Sequence, residues 1–193
     1  MKRFGMITLA AFGALLATAP GAPAQSPPDV TCPPYVGDPP TVHNVTVPDH
    51  GFCLLAHVTV TGNMTVGRGA TLEFFEGTIS GNVQANNCND VSLGDSTVSG
   101  GVQIWNCASG GADTSTVGGN LQCQNNTQCF VRSSTILGNL QIMDNNTSFP
   151  SQIFGSTIAK NLLCQNNSPP PAGGGNTVGG NPDKNSEGQC KGF

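Results

Sequence analysis

Charged side chains are scarce in this chain: Asp, Glu, Lys and Arg make up 9% of its 193 residues. From residue 25 onward, eleven acidic side chains stand against five basic ones, so we expect no binding to nucleic acid. Aromatic residues amount to only 6%, with one Trp and one Tyr. After the first 24 residues, no run approaches the roughly 20 apolar residues that span a bilayer, so we expect no membrane insertion.

The 26 Gly and 14 Pro residues, together with the shortage of aromatics, are also typical of disordered chains. Disorder would scatter the Gly and Asn residues along the sequence. They recur instead at fixed intervals, which favours a folded repeat protein.

Residues 1–24 have the layout of a secretory signal peptide. Lys2 and Arg3 precede an apolar run from Ile7 to Ala17, and the small-residue site Ala22-Pro23-Ala24 follows. We therefore predict a soluble exported protein that is secreted, periplasmic or attached to a cell surface. All eight Cys lie after this segment, and an even number of Cys in an exported chain indicates disulfides.

A six-residue phrase, Thr-aliphatic-x-Gly-Asn-apolar, recurs seven times with small departures. Its copies read TVTGNM, TISGNV, TVSGGV, TVGGNL, TILGNL, TIAKNL and TVGGNP. Successive Thr residues stand 19 positions apart four times, and then 22 and 20 apart. These residues are Thr59, Thr78, Thr97, Thr116, Thr135, Thr157 and Thr177.

Three apolar columns follow from this alignment. Val or Ile stands one residue after each Thr, and an apolar residue stands five after it, with Pro182 in the last copy. The third column, two residues further on, contains Val66, Ala85, Ile104, Cys123, Ile142 and Cys164, and Lys184 interrupts it. Apolar positions two apart predict strands with one buried face. Gly-Asn between the first two columns predicts a bend with positive φ.

A 19-residue unit with short strands and one apolar face cannot close a core alone, whereas stacked copies can. We therefore predict an all-β, single-stranded parallel β-helix, or solenoid, of about seven coils. Equivalent strands would lie about 4.8 Å apart, and right-handed winding is expected for parallel crossovers. An antiparallel sandwich is the alternative, but it needs hairpin loops every 8–12 residues and no such columns.

The repeat resembles right-handed parallel β-helix proteins, the architecture of pectin lyase-like enzymes, phage tail-spike shafts and polymer-forming bactofilin-type proteins. The resemblance covers about residues 42–190 and concerns the repeat grammar, not a catalytic motif. The closing GGGNTVGGN and GQC also resemble the ends of small uncharacterised bacterial exported proteins.

The predicted organisation is a Pro-rich segment and cap at 25–58, coils at 59–176, and a last coil with a disulfide-clamped cap at 177–193. Open ends of a β-helix expose unpaired strand edges, which invite self-association. The terminal segments are expected to cover these edges and keep the protein monomeric.

Asn residues form two further columns. We interpret both as structural ladders of stacked amides that pass hydrogen bonds between coils, and a polar ligand site is the alternative. The first ladder contains Asn63, Asn82, Asn120, Asn139, Asn161 and Asn181, and Gly101 interrupts it. The second column contains Asn87, Asn106, Asn125 and Asn166, with Asp144 in one coil.

Disulfide pairing follows from the columns. Cys88 and Cys107 stand ten residues after their Thr, so adjacent coils place their Cα atoms about 4.8 Å apart. Cys123 and Cys164 lie two coils apart, which is too far for a direct bridge. The predicted bridges are Cys32–Cys53, Cys88–Cys107, Cys123–Cys129 and Cys164–Cys190.

Two surface features are candidates for binding. Trp105 falls in an outward column, where it would either stack against a sugar or pack under a loop, and we favour the loop. Thr59-Val60-Thr61 and the two copies after it place hydroxyls in a grid that resembles the Thr arrays of β-helical ice-binding proteins. The second Thr of the grid lapses in the later copies, and Thr is simply a good strand residue.

No catalytic, metal or cofactor site is predicted. His43, His50 and His57 recur every seven residues, too far apart on strands to converge on a metal with Asp49. The acids Asp90, Asp95, Asp113 and Asp144 do not share a column, whereas polysaccharide-cleaving β-helix enzymes resemble one another in clustered Asp and long loops.

The leading hypothesis is therefore a non-enzymatic exported β-helix that serves as a structural, surface-associated or adhesive module. Its expected partners are a cell-surface glycan or further copies of itself. The alternatives are a carbohydrate-active or carbohydrate-binding protein and an ice-binding protein.

Overall fold

The computed structural model describes residues 26–32, 41–179 and 185–193. The predicted signal peptide and Asn181 lie outside the described residues. The described chain forms 24 strands, and all of the strand pairs between successive coils are parallel. The predicted all-β parallel solenoid of about seven coils, spaced by about 19 residues, is confirmed. Its winding hand stays a prediction.

The coils stack into three sheets, called here sheets A, B and C. Sheet A contains β1 (Val30–Thr31), β3 (Val45–Val47), β6 (Met64–Val66), β9 (Val83–Asn86), β12 (Val102–Trp105), β15 (Leu121–Gln124), β18 (Leu140–Met143), β21 (Leu162–Gln165) and β24 (Ser186–Gly188). Sheet B contains the short strands β2 (Thr41–Val42), β5 (Thr59–Val60), β8 (Thr78–Ile79), β11 (Thr97–Val98), β14 (Thr116–Val117), β17 (Thr135–Ile136), β20 (Thr157–Ile158) and β23 (Thr177–Val178).

Sheet C contains β4 (Phe52–Ala56), β7 (Thr71–Phe75), β10 (Asp90–Gly94), β13 (Ser109–Asp113), β16 (Gln128–Arg132), β19 (Gln152–Phe154) and β22 (Ala172–Gly174). Each coil runs from sheet B through sheet A to sheet C and on to the next strand of sheet B. The three bends are called here corners BA, AC and CB. The stack begins earlier than the sequence repeat, because Thr41 pairs with Thr59.

The predicted apolar columns line the interior. Val98 pairs with Ile79 and Val117, Val102 pairs with Val83 and Leu121, and all of them are fully buried. Because side chains alternate along a strand, the residues between these columns face solvent. The branched aliphatic side chains therefore form continuous stacks along the axis, and their burial is the main stabilising term.

Sheet C lacks a uniform apolar column. In some coils it contributes a small residue that faces a large side chain of sheet A, and in others the sizes are reversed. Gly110 pairs with Cys129, and a Cβ built on it would lie 2.9 Å from Cγ2 of Ile104 on sheet A. One coil earlier, Ala85 is the small residue on sheet A and Val91 the larger one on sheet C. The core therefore stays filled in each coil, although the size of the residue at a given position changes from one coil to the next.

The last coil departs from the predicted alignment. Ser186 pairs with Leu162, and Gly188 pairs with Cys164. The sequence alignment places Pro182 after Leu162 and Lys184 after Cys164 in their columns. Ser186 and Gly188 take these places instead, so the prediction is wrong by four residues. The extra residues lie between β23 and β24, so the repeat spacing does not carry through the cap.

Candidate binding face on sheet A

The outward face of sheet A carries a polar column, of two Thr and then four Gln, that the sequence interpretation missed. Its members follow one another at intervals of 19 residues: Thr46, Thr65, Gln84, Gln103, Gln122 and Gln141. Gln103 Nε2 donates to Gln122 Oε1 at 3.2 Å, and Gln122 Nε2 donates to Gln141 Oε1 at 2.6 Å. The signal was available in the sequence, since Gln recurs between the second and third apolar columns.

The predicted Asn ladder borders this face along corner BA. Asn63 Oδ1 accepts the backbone N–H of Asn82 at 2.9 Å, and Asn120 Oδ1 accepts that of Asn139 at 2.8 Å. In both pairs the side-chain Nδ2 of the next Asn donates to the same oxygen, at 3.2 and 3.3 Å. Asn161 continues the ladder, because its N–H donates to Asn139 Oδ1 at 3.2 Å.

Two residues that precede the repeat begin the ladder. Asn44 Oδ1 accepts the N–H of Asn63 at 2.8 Å, and Asp29 Oδ1 accepts the N–H of Asn44 at 3.0 Å. The Asn44 backbone donor, together with the contact to His43, lowers the pKa of Asp29 below its usual range. Asn44 was missed because its coil carries His43-Asn44 in place of Gly-Asn.

Gly179 in the last coil has a positive φ of 50°, but the other described glycines of corner BA do not, so the predicted positive φ is wrong for most of this corner and close stacking is what requires Gly there. Gly100 lies outside the left-handed region, and a Cβ built on it would approach Gly81 O and Asn82 Oδ1 to 2.5 Å. Positive φ occurs instead at corners AC and CB, for example at Asn87 (56°) and Asp95 (47°).

The second Asn column is displaced by one residue from a true ladder. Asn106, Asn125 and their equivalents occupy the left-handed turn, which Asn tolerates well. The next residue along corner AC points inward: Asn126 Oδ1 accepts the N–H of Cys107, and Asn145 Oδ1 accepts the N–H of Asn126, both at 2.8 Å. The continuous ladder of corner AC therefore runs one residue after the Asn87 column, although Asn166 Nδ2 donates to Asp144 Oδ1 within that column at 3.1 Å.

A third ladder fills corner CB with hydroxyls. Ser115 Oγ accepts the N–H of Ser96 at 3.0 Å, and Ser134 Oγ accepts the N–H of Ser115 at 3.1 Å. These Ser residues are at most 3% exposed. Sequence reasoning missed this ladder, because a Ser before each Thr reads as an ordinary turn residue.

Two depressions flank Gln84 and Gln103 on the sheet A face. The first has a volume of about 390 Å³ and is lined by Asn82, Gln84, Gly101, Gln103, Gly119, Asn120 and Gln122. The second, of about 250 Å³, is lined by Thr65, Val66, Gln84, Ala85, Asn86, Gln103 and Trp105. Neither lining contains a charged side chain, so both depressions match a neutral ligand.

Trp105 stands on the outer face of β12 between Asn86 and Gln124 and is 37% exposed. Every residue that lines its depression belongs to a strand of sheet A, and none belongs to a loop. The structure therefore offers no support for the favoured loop packing and leaves the ring available at the surface. Phe52 and Phe154 are also exposed, at 53% and 43%, but lie on sheet C.

The three His residues lie at three different corners of the first coil. His43 Nδ1 contacts Asp29 Oδ1 at 3.0 Å at corner BA, and His57 Nδ1 contacts Glu76 Oε2 at 3.1 Å at corner CB. His50 turns corner AC with φ of 60°. Among the described residues no group of three or more His, Cys, Asp or Glu could hold a metal ion.

The acidic residues of sheet C are not arranged as a pair. Partial burial raises the pKa of Asp90, opposed by a hydrogen bond to Ser109 and assisted by the charge of Glu73. Asp113 contacts Arg132 at 3.8 Å. The Arg132 side chain also donates to Gln152 Oε1 at 2.7 and 3.0 Å, so this group is engaged within the sheet.

Sheet B presents the other regular surface. All eight of its strands begin with Thr in register, from Thr41 to Thr177. The neighbouring outward position holds Thr61, Ser80 and Ser99 and then lapses, with Leu137 half exposed at 50%. The hydroxyl grid is therefore one column wide over most of the rod.

Each of the four expected Cys pairs lies at disulfide distance. Cα–Cα separations are 5.5 Å for Cys32–Cys53, 4.5 Å for Cys88–Cys107, 6.2 Å for Cys123–Cys129 and 5.3 Å for Cys164–Cys190. Four disulfides indicate an oxidising, non-cytoplasmic environment. The described part of the chain has no helix that is long and apolar enough to cross a membrane.

Comparison of this chain with protein-family models, with curated proteins and with solved structures finds no match. The resemblance of the parallel solenoid to particular families of that architecture stays a prediction.

Proposed function

We propose that this protein is an exported, non-enzymatic adhesive module that binds neutral glycans through the outer face of sheet A. The observation that carries the proposal is the pair of uncharged depressions on either side of Gln84 and Gln103, with Trp105 beside one of them. Amide side chains offer both donors and acceptors to sugar hydroxyls, and an exposed indole offers an apolar face for stacking.

The scaffold suits this role because it holds the face rigid. Gln103 and Trp105 lie on β12, paired on both sides along its full length, and their inward neighbours Val102 and Ile104 are fully buried. A preformed site avoids the cost of ordering loops on binding. The signal-like N-terminus and the four disulfides support a location where glycans of cell surfaces are met.

A glycan array with the mature, oxidised protein tests the proposal. We expect binding to neutral glycans that Trp105→Ala weakens by about tenfold or more, since one stacked ring contributes on the order of 1.5 kcal/mol. Phe154→Ala is the matched control, because it removes an exposed aromatic from sheet C and should leave binding unchanged. An array without any binding would refute the proposal, and release of reducing or unsaturated ends from a bound glycan would assign an enzyme instead.

The Thr column of sheet B supports a second candidate, ice binding, because eight Thr hydroxyls repeat at strand spacing along one wall. Thermal hysteresis of the wild type, lost in Thr78→Tyr, is the expected result for this function. Absence of hysteresis in both proteins rejects it and leaves the glycan proposal unaffected.

A further inference from the structure

From Asn44 to Asn161 the Asn ladder has one gap, and this gap coincides with the first depression. Gly101 stands where the other coils carry Asn, between Asn82 and Asn120. All three residues line that depression, and Gly101 occupies the position where an Asn of the ladder would stand. The missing side chain therefore creates the notch, which is defined here by Asn82, Gly101 and Asn120.

The ladder shows which hydrogen bonds the notch leaves open. At two steps of the ladder, Asn63 to Asn82 and Asn120 to Asn139, an Asn oxygen accepts both the backbone N–H and the Nδ2 of the next Asn. Gly101 has no such oxygen to offer to Asn120. On the other side, Asn82 Oδ1 accepts the N–H of Gly101 at 2.8 Å but receives no side-chain amide from that residue.

A ligand that completes this pattern must carry its own carboxamide. Its carbonyl oxygen would accept from the N–H and Nδ2 of Asn120, and its N–H would donate to Asn82 Oδ1. Asn82 and Asn120 belong to coils two steps apart, about 9.6 Å, which is the span of one amide hydrogen-bonded to an amide on each side. The two atoms to be joined, Asn82 Oδ1 and Asn120 N, lie 3.7 and 3.8 Å from a Cβ built on Gly101, so the bridging group would take the place of an Asn side chain at that position.

Steric space does not explain the gap. Gly101 lies outside the left-handed region of φ, and the nearest atom to a Cβ built on it is Asn120 O at 3.2 Å. An adjustment of a few tenths of an ångström would admit Asn, as at the other coils. A position where a sequence breaks its own stabilising rule without steric need is a candidate for function.

We propose that the notch binds the acetamido group of an N-acetylated amino sugar, in place of the absent Asn side chain. This proposal rests on the proposed glycan-binding function and names its ligand class. Gly101, Gln103 and Trp105 lie at alternate positions of one coil and span about 13 Å. The acetamido group enters the notch, the sugar hydroxyls meet Gln103, and the next ring of the chain lies against Trp105.

Calorimetry with three tetrasaccharides tests the ligand class. The probes are the β-1,4 tetramer of N-acetylglucosamine, its fully deacetylated form, and cellotetraose, which has a hydroxyl in place of each acetamido group. We expect the acetylated tetramer to bind at least about tenfold more tightly than either of the others, because each of the others lacks the carboxamide. Equal affinity for cellotetraose overturns the proposal.

The variant Gly101→Asn tests the notch itself. It supplies the missing amide from the protein, so we expect binding of the acetylated tetramer to weaken by about tenfold or more while the melting temperature stays the same or rises. Asn161→Ala is the control, since it removes a ladder amide that neither lines the depression nor bonds to Asn120, and it should change affinity by less than about twofold. Wild-type affinity in Gly101→Asn contradicts the assignment.

The backbone N–H of Asn120 gives a readout that needs no variant. Its NMR resonance should shift when N-acetylglucosamine is added and stay in place with glucose. If N-acetylglycine N-methylamide shifts it and N-acetylglucosamine does not, the notch takes peptides and the proposal fails. If the notch tests fail but Trp105→Ala still abolishes glycan binding, only the assignment of the notch to an acetamido group is wrong. If the glycan array shows no binding at all, the proposed function is wrong as well.

Discussion

The exposed ladder of corner BA and the buried ladder of corner AC use the same side chain for the same purpose. In both, an Asn oxygen accepts the backbone N–H of the equivalent residue in the preceding or following coil, at 2.8 Å for Asn126 and for Asn120. Asn126 is 1% exposed, whereas Asn120 faces solvent. Water can replace a lost partner only at corner BA, and the exposed ladder is the one with a gap.

The difference shows where this fold has room for a binding site. A buried N–H without a partner costs about 1–3 kcal/mol, while an exposed one is satisfied by water. At corner AC, accordingly, the accepting group changes along the column but the backbone N–H is still paired. Cys107 Sγ accepts the N–H of Cys88 at 3.1 Å, whereas the acceptor in later coils is an Asn oxygen. The gap at Gly101 is tolerated because it lies at the surface.

The largest effect is expected for Asn126→Ala. Asn126 also donates from Nδ2 to Ile104 O at 2.8 Å, so the change strands one buried donor, the Cys107 N–H, and removes a second hydrogen bond from a carbonyl of β12. We expect a loss of about 3 kcal/mol in the free energy of unfolding, measured by urea denaturation. A loss below about 1 kcal/mol would mean that water reaches this corner and that the two ladders are alike.

Ser115→Ala should have an intermediate effect. It removes the acceptor of the Ser96 N–H at 3.0 Å and a donor to Asp113 O at 2.9 Å, although the latter carbonyl retains other partners. The expected loss is about 1.5 kcal/mol in the same measurement. Thr116→Ala, which removes the adjacent outward hydroxyl, is the control and should change stability by less than about 0.5 kcal/mol. Equal losses in the two variants would contradict the role of the Ser ladder.

Asn139→Ala matches Asn126→Ala in chemistry but acts at the exposed ladder. Solvent can take over the N–H of Asn161, so the expected loss is only about 0.5 kcal/mol. The same Asn→Ala substitution is thus compared in the buried ladder and in the exposed one. If urea denaturation gave the same loss for both variants, burial would not be what separates the ladders.

The smallest effect is expected for Asp90→Asn, which extends the rule from hydrogen bonds to charge. Partial burial raises the pKa of Asp90 above its ordinary value of 3.8, so the folded state holds the proton more tightly than the unfolded state. Stability therefore falls as pH rises from about 3.8 through the folded-state pKa. At pH 7 Asp90→Asn should raise stability by on the order of 0.5 kcal/mol, and the gain should vanish below pH 3.8 in thermal melts. An unchanged or lower melting temperature at pH 7 would contradict the burial effect.

Much of this architecture could be predicted from the sequence because side chains alternate along strands and equivalent residues superpose. The columns through Val98, Val102 and Ile104 needed only the spacing of apolar residues. Sheet C could not be predicted in the same way, because Gly110 fills its column only with the help of Ile104 from the facing sheet. Such exchanges leave no periodic signal.

The candidate site was visible only in part. Trp105 was placed on the correct outward column, and the break at Gly101 was noted, but neither observation indicates a depression. The Gln column was overlooked because polar residues between apolar ones satisfy the strand pattern whatever they are. The notch depends on three coils at once, Asn82, Gly101 and Asn120, and so emerges only when the coils are stacked.

The disulfides join positions only 6 to 26 residues apart, so each closes a short loop and none connects the two ends of the rod. Under tension along the axis the closed loops cannot lengthen, whereas the stretches 54–87 and 130–163 contain no bridge. Each of them could extend to roughly 110 Å. If the protein attaches to a surface in flowing liquid, force would therefore unfold a bridge-free coil before any covalent bond is strained. The unfolding coil would absorb the force and not transmit it along the rod.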